Sequence, residues 1–338
     1  MLDSKLLDIL IKDQKKFKGS IYYPGPYWEN KCLRAAHNIK KNGLSEFRGI
    51  TKGIGSSYTD GLTLDARNES NFKGRLIGKL YSLPIINSIF NTQLHITNTY
   101  LNTYLKNLSI VYENDQKVLM LLKKYKFEDT VKFGCLQKFS LDNKEYSTHY
   151  LNMAHRIEFL SKTYNFNKIN SYFEIGGGFG ANIHFLLSNF KNIKKILYLD
   201  IVPNIYVGTQ YLKKFFNDSV KDYLYLRKKE KISFANNDDL EILCVPPWLI
   251  EKLDLQIDHF HNANSFVEMT DKIIKNYCHF IKRFNTKEVS LITYDNHNPN
   301  TTFEPSLLNK YFGNKLKLSS ENLLINEYKR NLLFLTNN

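Results

Sequence analysis

A carboxylate and four glycines occur close together near the middle of the chain, in the segment SYFEIGGGFGANIHFLL. Glu174 comes first, and the glycines that follow it are Gly176, Gly177, Gly178 and Gly180. Glycine adopts positive φ angles without steric cost, and because it has no Cβ a ligand can approach its backbone closely. The spacing therefore predicts a ligand-binding turn with one carboxylate at its edge.

The elements around the glycines predict how the turn is held. Residues 172–175 are predicted to form a strand, residues 181–190 a helix, and residues 196–199 a second strand that ends at Asp200. Strand, glycine turn, helix, strand and terminal acid form the βαβ half of a nucleotide-binding fold. An acid about 20 residues after the last glycine can bind both hydroxyls of a ribose. We expect this role of Asp200, and we assign Ile201 to the same cofactor site.

Glu174 decides which nucleotide the turn would bind. The spacing from Gly176 to Ala181 satisfies the loose dinucleotide pattern, but a carboxylate at the turn would repel a pyrophosphate. S-adenosylmethionine contains no phosphate and carries an ammonium and a sulfonium, both of which a carboxylate attracts. We therefore interpret the segment from Glu174 to Gly180 as the first motif of a class I methyltransferase. A dinucleotide site and a turn that binds nothing are the alternatives.

Polar residues follow the later strands, which are predicted at 240–245, 255–260 and 289–294. Because ligands bind outside the carboxyl ends of an open parallel sheet, these residues should meet at one groove. Trp248 follows the third strand, where its ring can stack on adenine; packing against the next helix is the alternative. The other residues expected at the groove are His261, Asn262, Ser265, Glu268, Asp295 and His297. For each of them an ordinary loop role is the alternative.

The bulk composition limits the class of function. The 338 residues are 43% hydrophobic, which excludes a disordered chain. The formal net charge of +14 invites a nucleic-acid partner, yet the lysines are scattered and form no basic stripe with aromatic residues. An anionic glycan, a nucleotide sugar or an acidic membrane surface explains the charge equally well. Four separated cysteines and the lack of an apolar run of about 20 residues predict a soluble, cytoplasmic protein without a transmembrane segment.

The chain is predicted to contain two regions. Residues 1–145 are expected to be a mostly helical region for substrate binding and dimerisation, with an aromatic turn at residues 22–28. Residues 146–338 are expected to form the methyltransferase domain, an α/β Rossmann-like sheet with helices on both faces. Residues 316–335 are expected to close that sheet as an antiparallel pair.

The chain resembles a bacterial family of sugar O-methyltransferases, a branch of the class I S-adenosylmethionine-dependent enzymes. The likeness is carried by EIGGGFG at 174–180, YLD at 198–200, QYL at 210–212 and NANSFVEM at 262–269. Only residues 171–270 are specific for the family. The resemblance implies methylation of a sugar hydroxyl in a surface polysaccharide or its precursor, a substrate class that spacing and composition do not show.

A sugar hydroxyl is a poor nucleophile when neutral, so a general base should lie within hydrogen-bond reach of it. His261 and His297 are the leading candidates, and Glu268 and Asp295 are alternatives that could orient the histidine. A divalent cation such as Mg²⁺, bound by Asp295, Glu268 or Asp258, stays open because carboxylates suit it. No close cluster of histidine and cysteine indicates zinc.

Overall fold

The computed structural model describes residues 3–48, 92–135, 138–293 and 307–313. Its contacts divide the chain into two compact units. One unit contains residues 1–41 together with 152–338, and the other contains residues 42–151. The first two helices therefore belong to the same unit as the glycine turn. The predicted role of residues 1–145 in substrate binding and dimerisation stays a prediction.

Helices and strands alternate through the second half of the chain. The helices are α1 (Ser4–Lys15), α2 (Pro26–Asn42), α3 (Thr92–Glu113), α4 (Gln116–Lys124), α5 (Thr148–Leu160), α6 (Ala181–Asn189), α7 (Asn204–Phe216), α8 (Tyr223–Leu226), α9 (Asp271–Arg283) and α10 (Leu308–Tyr311). The strands are β1 (Phe139–Leu141), β2 (Lys144–Tyr146), β3 (Ser171–Ile175), β4 (Lys195–Leu199), β5 (Val220–Lys221), β6 (Glu241–Val245), β7 (His259–Ala263) and β8 (Glu288–Ile292).

Six parallel strands form one sheet in the order β5-β6-β4-β3-β7-β8. The chain starts at the centre with β3, winds outward through β4 to β6, and then returns to the other side of β3 with β7. The strand order therefore reverses between β3 and β7, which is where doubly wound sheets bind ligands. This Rossmann-like architecture, with helices between the strands, confirms the predicted fold class, and the helical N-terminal region is also present.

Local sequence explains the central elements. Strands β3 and β4 are buried along their whole length, as expected for apolar strands covered by helices on both faces. Helix α9 has its apolar residues on one face and its basic residues Lys282 and Arg283 in the last turn, where they favour the helix dipole. Helix α7 begins directly after Pro203, as expected because proline is favoured at a helix start.

Two predicted boundaries were wrong. Strand β7 is His259–Ala263 rather than 255–260, because Leu255 and Ile257 are buried in the preceding loop and imitate a strand pattern. Helix α2 begins at Pro26, so Tyr27 and Trp28 lie in its first turn and not in an aromatic turn. Proline is favoured in the first helical turn because it has no N–H to leave unpaired there.

The unit of residues 42–151 contains α3, α4 and the antiparallel hairpin β1–β2, which the sequence pattern missed. Its buried Arg48 donates to the carbonyl of Thr130 (2.6 Å, N to O) and to Oγ of Ser147 (2.8 Å). Within the described ranges, no helix is long and apolar enough to cross a bilayer. The predicted antiparallel pair at 316–335 lies outside the described residues.

Candidate cofactor site

The glycine turn lies at the carboxyl end of β3, at the reversal of the strand order. Gly176, Gly178 and Gly180 have φ angles of 72°, 62° and 84°, a region that other residues rarely adopt. Three backbone N–H groups of the turn already donate to oxygens of the protein. The N–H of Gly176 donates to the carbonyl of Leu199 (2.8 Å, N to O), that of Gly178 donates to Oδ2 of Asp200 (2.9 Å), and that of Gly180 donates to the carbonyl three residues earlier (3.0 Å).

These bonds bear on the choice between ligands. A dinucleotide pyrophosphate is bound by backbone N–H groups of the glycine turn and the following helix. Here three of the turn's N–H groups are already donated to protein oxygens, one of them to a carboxylate. The geometry therefore disfavours a pyrophosphate at this turn and leaves the carboxylates as its main ligand-binding groups.

Neighbouring elements hold the turn in this shape. A Cβ on Gly176 would lie 2.3 Å from Cβ and Oγ of Ser265, so the loop after β7 packs directly on that glycine. A Cβ on Gly180 would lie 3.0 Å from Cγ of Leu212 in α7. The hydroxyl of Tyr198 donates to the carbonyl of Gly178. The segments 198–200, 210–212 and 262–269, which carried the resemblance, therefore all contact the turn.

Asn262 and Ser265 link the loop after β7 to the end of β3. Asn262 Nδ2 donates to the carbonyl of Ile175 (2.9 Å, N to O), and Ser265 Oγ donates to the same oxygen (3.0 Å). Asn262 Oδ1 accepts from the backbone N–H of Phe266 (3.1 Å). Both predicted cofactor residues lie at the reversal point, and their described bonds orient the loop.

Glu174 is the most unusual group at the site. Its carboxylate is only 2% exposed, and Oε1 accepts from Asn182 Nδ2 of α6 (3.1 Å). Oε2 is buried and has no hydrogen-bond partner within the described structure, and a Cβ on Gly177 would lie 2.8 Å from it. Burial raises the pKa of Glu174 to about 8, and the nearby carboxylate of Asp200 acts in the same direction. An acceptor oxygen without a donor is costly, so the site is suited to a ligand that brings one.

Asp200 is buried as predicted at the end of β4, and both of its oxygens accept from the backbone. Oδ2 accepts from Gly178, and Oδ1 accepts from the N–H of Ile201 (2.7 Å). Burial raises the pKa of Asp200 to about 7, although these two hydrogen bonds favour its charged form. Asp200 therefore anchors the glycine turn, and its contact with a ribose stays a prediction.

The sequence pattern predicted His261 in a turn at the groove, and this placement was wrong. It lies inside β7 in register with Glu174, is 2% exposed, and its Nδ1 is 2.7 Å from Oγ of Ser290. Burial holds its pKa well below the ordinary value. The placement does not present the imidazole to an acceptor hydroxyl in the groove, because the carboxyl end of the strand lies two residues further on.

Trp248, which was expected to border an adenine, has a packing role in the structure. Its ring stacks on Phe17 with 5.4 Å between centroids, and its Nε1 donates to the hydroxyl of Tyr223 (3.1 Å). The residue is buried by these contacts. They favour the alternative given above, in which Trp248 packs between neighbouring elements.

Glu268 lies in the short 3₁₀ helix after β7, and the first turn of α2 packs beside it. Its Oε2 accepts from Nε1 of Trp28 (2.9 Å), and Nζ of Lys31 lies 3.2 Å from the ring centroid of Tyr27. Sequence reasoning did not assign these three α2 residues to the site. The run of aromatic residues around Pro26 was the available signal, but nothing local indicated which surface it would cover.

Asp258 is not placed to share a metal ion with Glu268. Asp258 lies at the amino end of β7, where its carboxylate accepts from the backbone of Asn170 and Ser171 (2.9 Å each) and from Lys287 Nζ (2.7 Å). It is therefore at the opposite end of the strand from Glu268. In the ranges that the structure describes, no three histidine, cysteine, aspartate or glutamate side chains are grouped to bind a metal ion. Asp295 and His297 lie outside those ranges.

No family model matches the sequence, and no curated protein matches it significantly. Solved structures that it resembles include magnesium protoporphyrin IX methyltransferase (ChlM) from Synechocystis PCC 6803 with bound SAM, at 10% identity and a TM-score of 0.38 over 56% of this chain and 80% of that one. Another is the mitomycin 7-O-methyltransferase MmcR, at 13% identity and a TM-score of 0.38 over 57% and 55% of the two chains. A SAM-dependent methyltransferase from Aquifex aeolicus matches at 13% identity and 0.35 over 54% and 89%. These likenesses are distant, and the strand order itself defines the fold.

Proposed function

We propose that this protein is an S-adenosylmethionine-dependent O-methyltransferase. The observation that carries the proposal is Glu174, a buried carboxylate under a glycine turn at the reversal of strand order. One of its oxygens has no hydrogen-bond partner among the described residues. A second carboxylate, Asp200, lies at the same turn, and its charge and that of Glu174 interact. Two acids at one turn favour a cationic ligand and oppose a phosphate.

The cofactor fits the residues present. Glu174 would accept from the ammonium of its methionine part, and the bare backbone of the glycine turn leaves room for the ligand. When bound, S-adenosylmethionine supplies an electrophilic methyl group on a sulfonium. The protein supplies position: effective molarities on the order of 10⁵ M or more are available when two reactants are held in line.

We propose a sugar hydroxyl of a surface glycan or its precursor as the acceptor. The family resemblance supports this choice, and the net charge of +14 suits an anionic glycan or a nucleotide sugar. The first two turns of α2 add Tyr27, Trp28 and Lys31 near Glu268, a set that combines aromatic rings with a cation. Another small molecule or a nucleic acid is the alternative acceptor.

We propose Glu268 as the group that receives or directs the proton of the hydroxyl. Among the described candidates, Glu268 follows β7 in a short 3₁₀ helix, whereas His261 lies inside the strand. The change Glu268→Gln keeps the size and removes the charge. Turnover should fall by about 10²-fold while binding of S-adenosylhomocysteine is unchanged. Glu230→Gln, which removes the same charge from an exposed side chain, is the matched control and should leave turnover unchanged. Normal turnover of Glu268→Gln would exclude the assignment and leave His297 as the candidate.

The activity is tested by incubation of the protein with S-adenosylmethionine labelled in the methyl group and a panel of acceptors. The panel contains nucleotide sugars, oligosaccharides, RNA and small phenols. We expect label in a sugar fraction with the wild type, and none with Glu174→Gln, which cannot offer the charge. Label only in RNA or in a phenol would overturn the sugar acceptor, and no transfer to any acceptor together with no cofactor binding would overturn the activity.

The location of the protein in the cell and its oligomeric state are also proposals. We propose that the protein acts in the cytoplasm, because its four cysteines are free and buried. We also propose a homodimer built on the N-terminal region of residues 1–145. Exposed apolar side chains on α3 and α4, namely Ile110, Val111 and Met120, support this proposal. Sedimentation of the purified protein tests it.

A further inference from the structure

Two rows of polar side chains cross one face of the sheet beneath the glycine turn. The pairing register aligns Glu174 of β3 with His261 of β7 and Ser290 of β8. Two residues earlier on each strand, and therefore on the same face, the register aligns Tyr172, His259 and Glu288. The side chain of Glu288 is 37% exposed, and the other five residues are buried. Burying polar side chains costs more free energy than burying apolar ones, so these polar rows require an explanation.

Hydrogen bonds join four of these groups into one chain. Glu288 Oε2 lies 3.1 Å from His259 Nδ1, and His259 Nε2 lies 2.7 Å from Oγ of Ser290. The same Oγ lies 2.7 Å from Nδ1 of His261. The chain therefore runs from a partly exposed carboxylate at the amino end of β8 to the imidazole that neighbours Glu174.

The order of donors and acceptors along the chain fixes the tautomer of His261. An ionised carboxylate only accepts, so His259 donates from Nδ1 to Glu288, and its Nε2 is left as a lone pair. The hydroxyl of Ser290 then donates to that lone pair and accepts from Nδ1–H of His261. Its contact with the carbonyl of Phe260 is much longer, at 3.4 Å. His261 is therefore left with an unprotonated Nε2, and burial keeps both imidazoles neutral because it lowers the pKa of each.

The second nitrogen of His261, Nε2, is turned away from Ser290, because Nδ1 of the same ring faces that hydroxyl. Since β7 runs between β8 and β3, the side away from β8 is the side of β3 and Glu174. Glu174 in turn has one oxygen held by Asn182 of α6 and one oxygen without a donor. The register therefore places an imidazole and a carboxylate on neighbouring strands and on the same face of the sheet, and the charge of Arg156 acts on both.

We propose that Glu288, His259 and Ser290 are positioning residues that hold His261 as a bare acceptor beside Glu174, and that the two acceptors together bind the ammonium group of the cofactor's methionine part. A primary ammonium has three donors and no acceptor, so a carboxylate and an imidazole lone pair match it. This inference rests on the proposed function and assigns to His261 a binding role, not that of the general base.

Calorimetric titration with two ligands separates this role from a merely structural one. S-adenosylhomocysteine contains the amino acid part, whereas 5′-methylthioadenosine contains the same adenosine and sulfur without it. We expect Ser290→Ala to weaken binding of S-adenosylhomocysteine by about tenfold or more, because His261 is no longer held as an acceptor and its bond to the charged ammonium is lost. Binding of 5′-methylthioadenosine should be unchanged. Ser290→Thr, which keeps the hydroxyl, should restore the wild-type preference.

The outcomes are distinct. Equal weakening of both ligands by Ser290→Ala, or no weakening of S-adenosylhomocysteine, would overturn the inference while the proposed function stands. Failure of the folded wild type to bind either ligand would instead overturn the proposed function. Glu288→Ala, at the partly exposed end of the chain, repeats the comparison with a variant that leaves the buried core intact.

The tautomer can also be observed without any ligand. In protein labelled with ¹⁵N at histidine, two-bond ¹H–¹⁵N correlations distinguish Nδ1–H from Nε2–H imidazoles. At neutral pH we expect His259 and His261 both to carry the proton on Nδ1, and His261 to lose this preference in Ser290→Ala. A wild-type His261 protonated on Nε2 would contradict the proposed order of donors.

Discussion

At the scale of single residues, the account depends on the charge of one carboxylate. Burial raises the pKa of Glu174 to about 8, the charge of Asp200 adds to the effect, and the charge of Arg156 opposes it. Below that pH the free protein therefore holds Glu174 largely protonated. A cationic ligand favours the ionised form, so its binding must release a proton from the site.

The release of this proton is the first prediction. Affinity for S-adenosylhomocysteine should rise between pH 6 and pH 8, by up to about tenfold per pH unit, and then level off. Calorimetry in buffers of different ionisation enthalpy should show a fraction of a proton released near pH 7. In Glu174→Gln the affinity should be low and nearly independent of pH over the same range. An equally steep pH dependence in that variant would show that another group is responsible.

The same shift predicts the pH dependence of stability. Because the pKa of Glu174 in the folded protein lies above the ordinary value, its contribution to stability is complete at acidic pH and is lost as the pH rises through about 8. Asp200 acts in the same direction with a pKa of about 7. Thermal melts of the free protein should therefore show lower stability at pH 8 than at pH 6. Melts with and without S-adenosylhomocysteine should show a larger gain from the ligand at pH 8, and a constant gain would contradict this.

At the scale of elements, the glycine turn is shaped by the loop after β7. Gly176 combines a φ of 72° with direct contact to Ser265, whereas Gly19 has a φ of 83° and open space around it. Alanine at Gly19 should therefore cost only the strain of the left-handed region, about 1–2 kcal/mol. Alanine at Gly176 should cost that amount plus the clash with Ser265.

A mutational prediction uses this pair of glycines. Gly176→Ala should lower the free energy of unfolding by more than Gly19→Ala does, and it should also weaken cofactor binding. Adding Ser265→Gly removes the atoms that a new Cβ would meet, so the double variant should be more stable than the sum of the single effects by about 1 kcal/mol or more. Denaturant titrations of the four proteins measure this coupling. Additive effects would mean that the loop does not press on the turn.

How far the sequence predicts these elements depends on how local their causes are. The turn, its flanking strands and helix α7 follow from glycine spacing, apolar runs and Pro203, and the structure agrees with them closely. The start of β7 does not follow, because Leu255 and Ile257 are buried without being in the strand. That error moved His261 out of the sheet and made it look like a base.

At the scale of the whole molecule, the first two helices belong to the unit that contains the sheet. Helix α1 is attached through Asp13, which accepts from the hydroxyl of Tyr223 (2.8 Å, O to O) and pairs with Arg227 (3.2 Å) and Lys16 (2.6 Å). No local sequence pattern predicts this contact, because Tyr223 and Arg227 follow Asp13 by more than 200 residues. The sequence therefore predicted the helix but not the element that it packs on.

A further mutational prediction tests this attachment. Burial alone would raise the pKa of Asp13, but hydrogen bonds from Lys16 and Tyr223 and the charge of Arg227 lower it. Asp13→Ala should reduce the free energy of unfolding by about 1–3 kcal/mol at pH 7, and the difference from wild type should shrink as the pH falls below 4. Lys16→Ala, which removes an exposed partner, should be nearly neutral. An Asp13→Ala protein as stable as the wild type would refute the attachment.

The central claim is that the glycine turn binds a phosphate-free, cationic methyl donor. Calorimetric titration of the wild-type protein at pH 8 with S-adenosylhomocysteine and, separately, with NAD tests it most directly. The account predicts saturable binding of S-adenosylhomocysteine at one site per chain and no detectable binding of NAD. Binding of NAD, or a flat titration with S-adenosylhomocysteine, would contradict it.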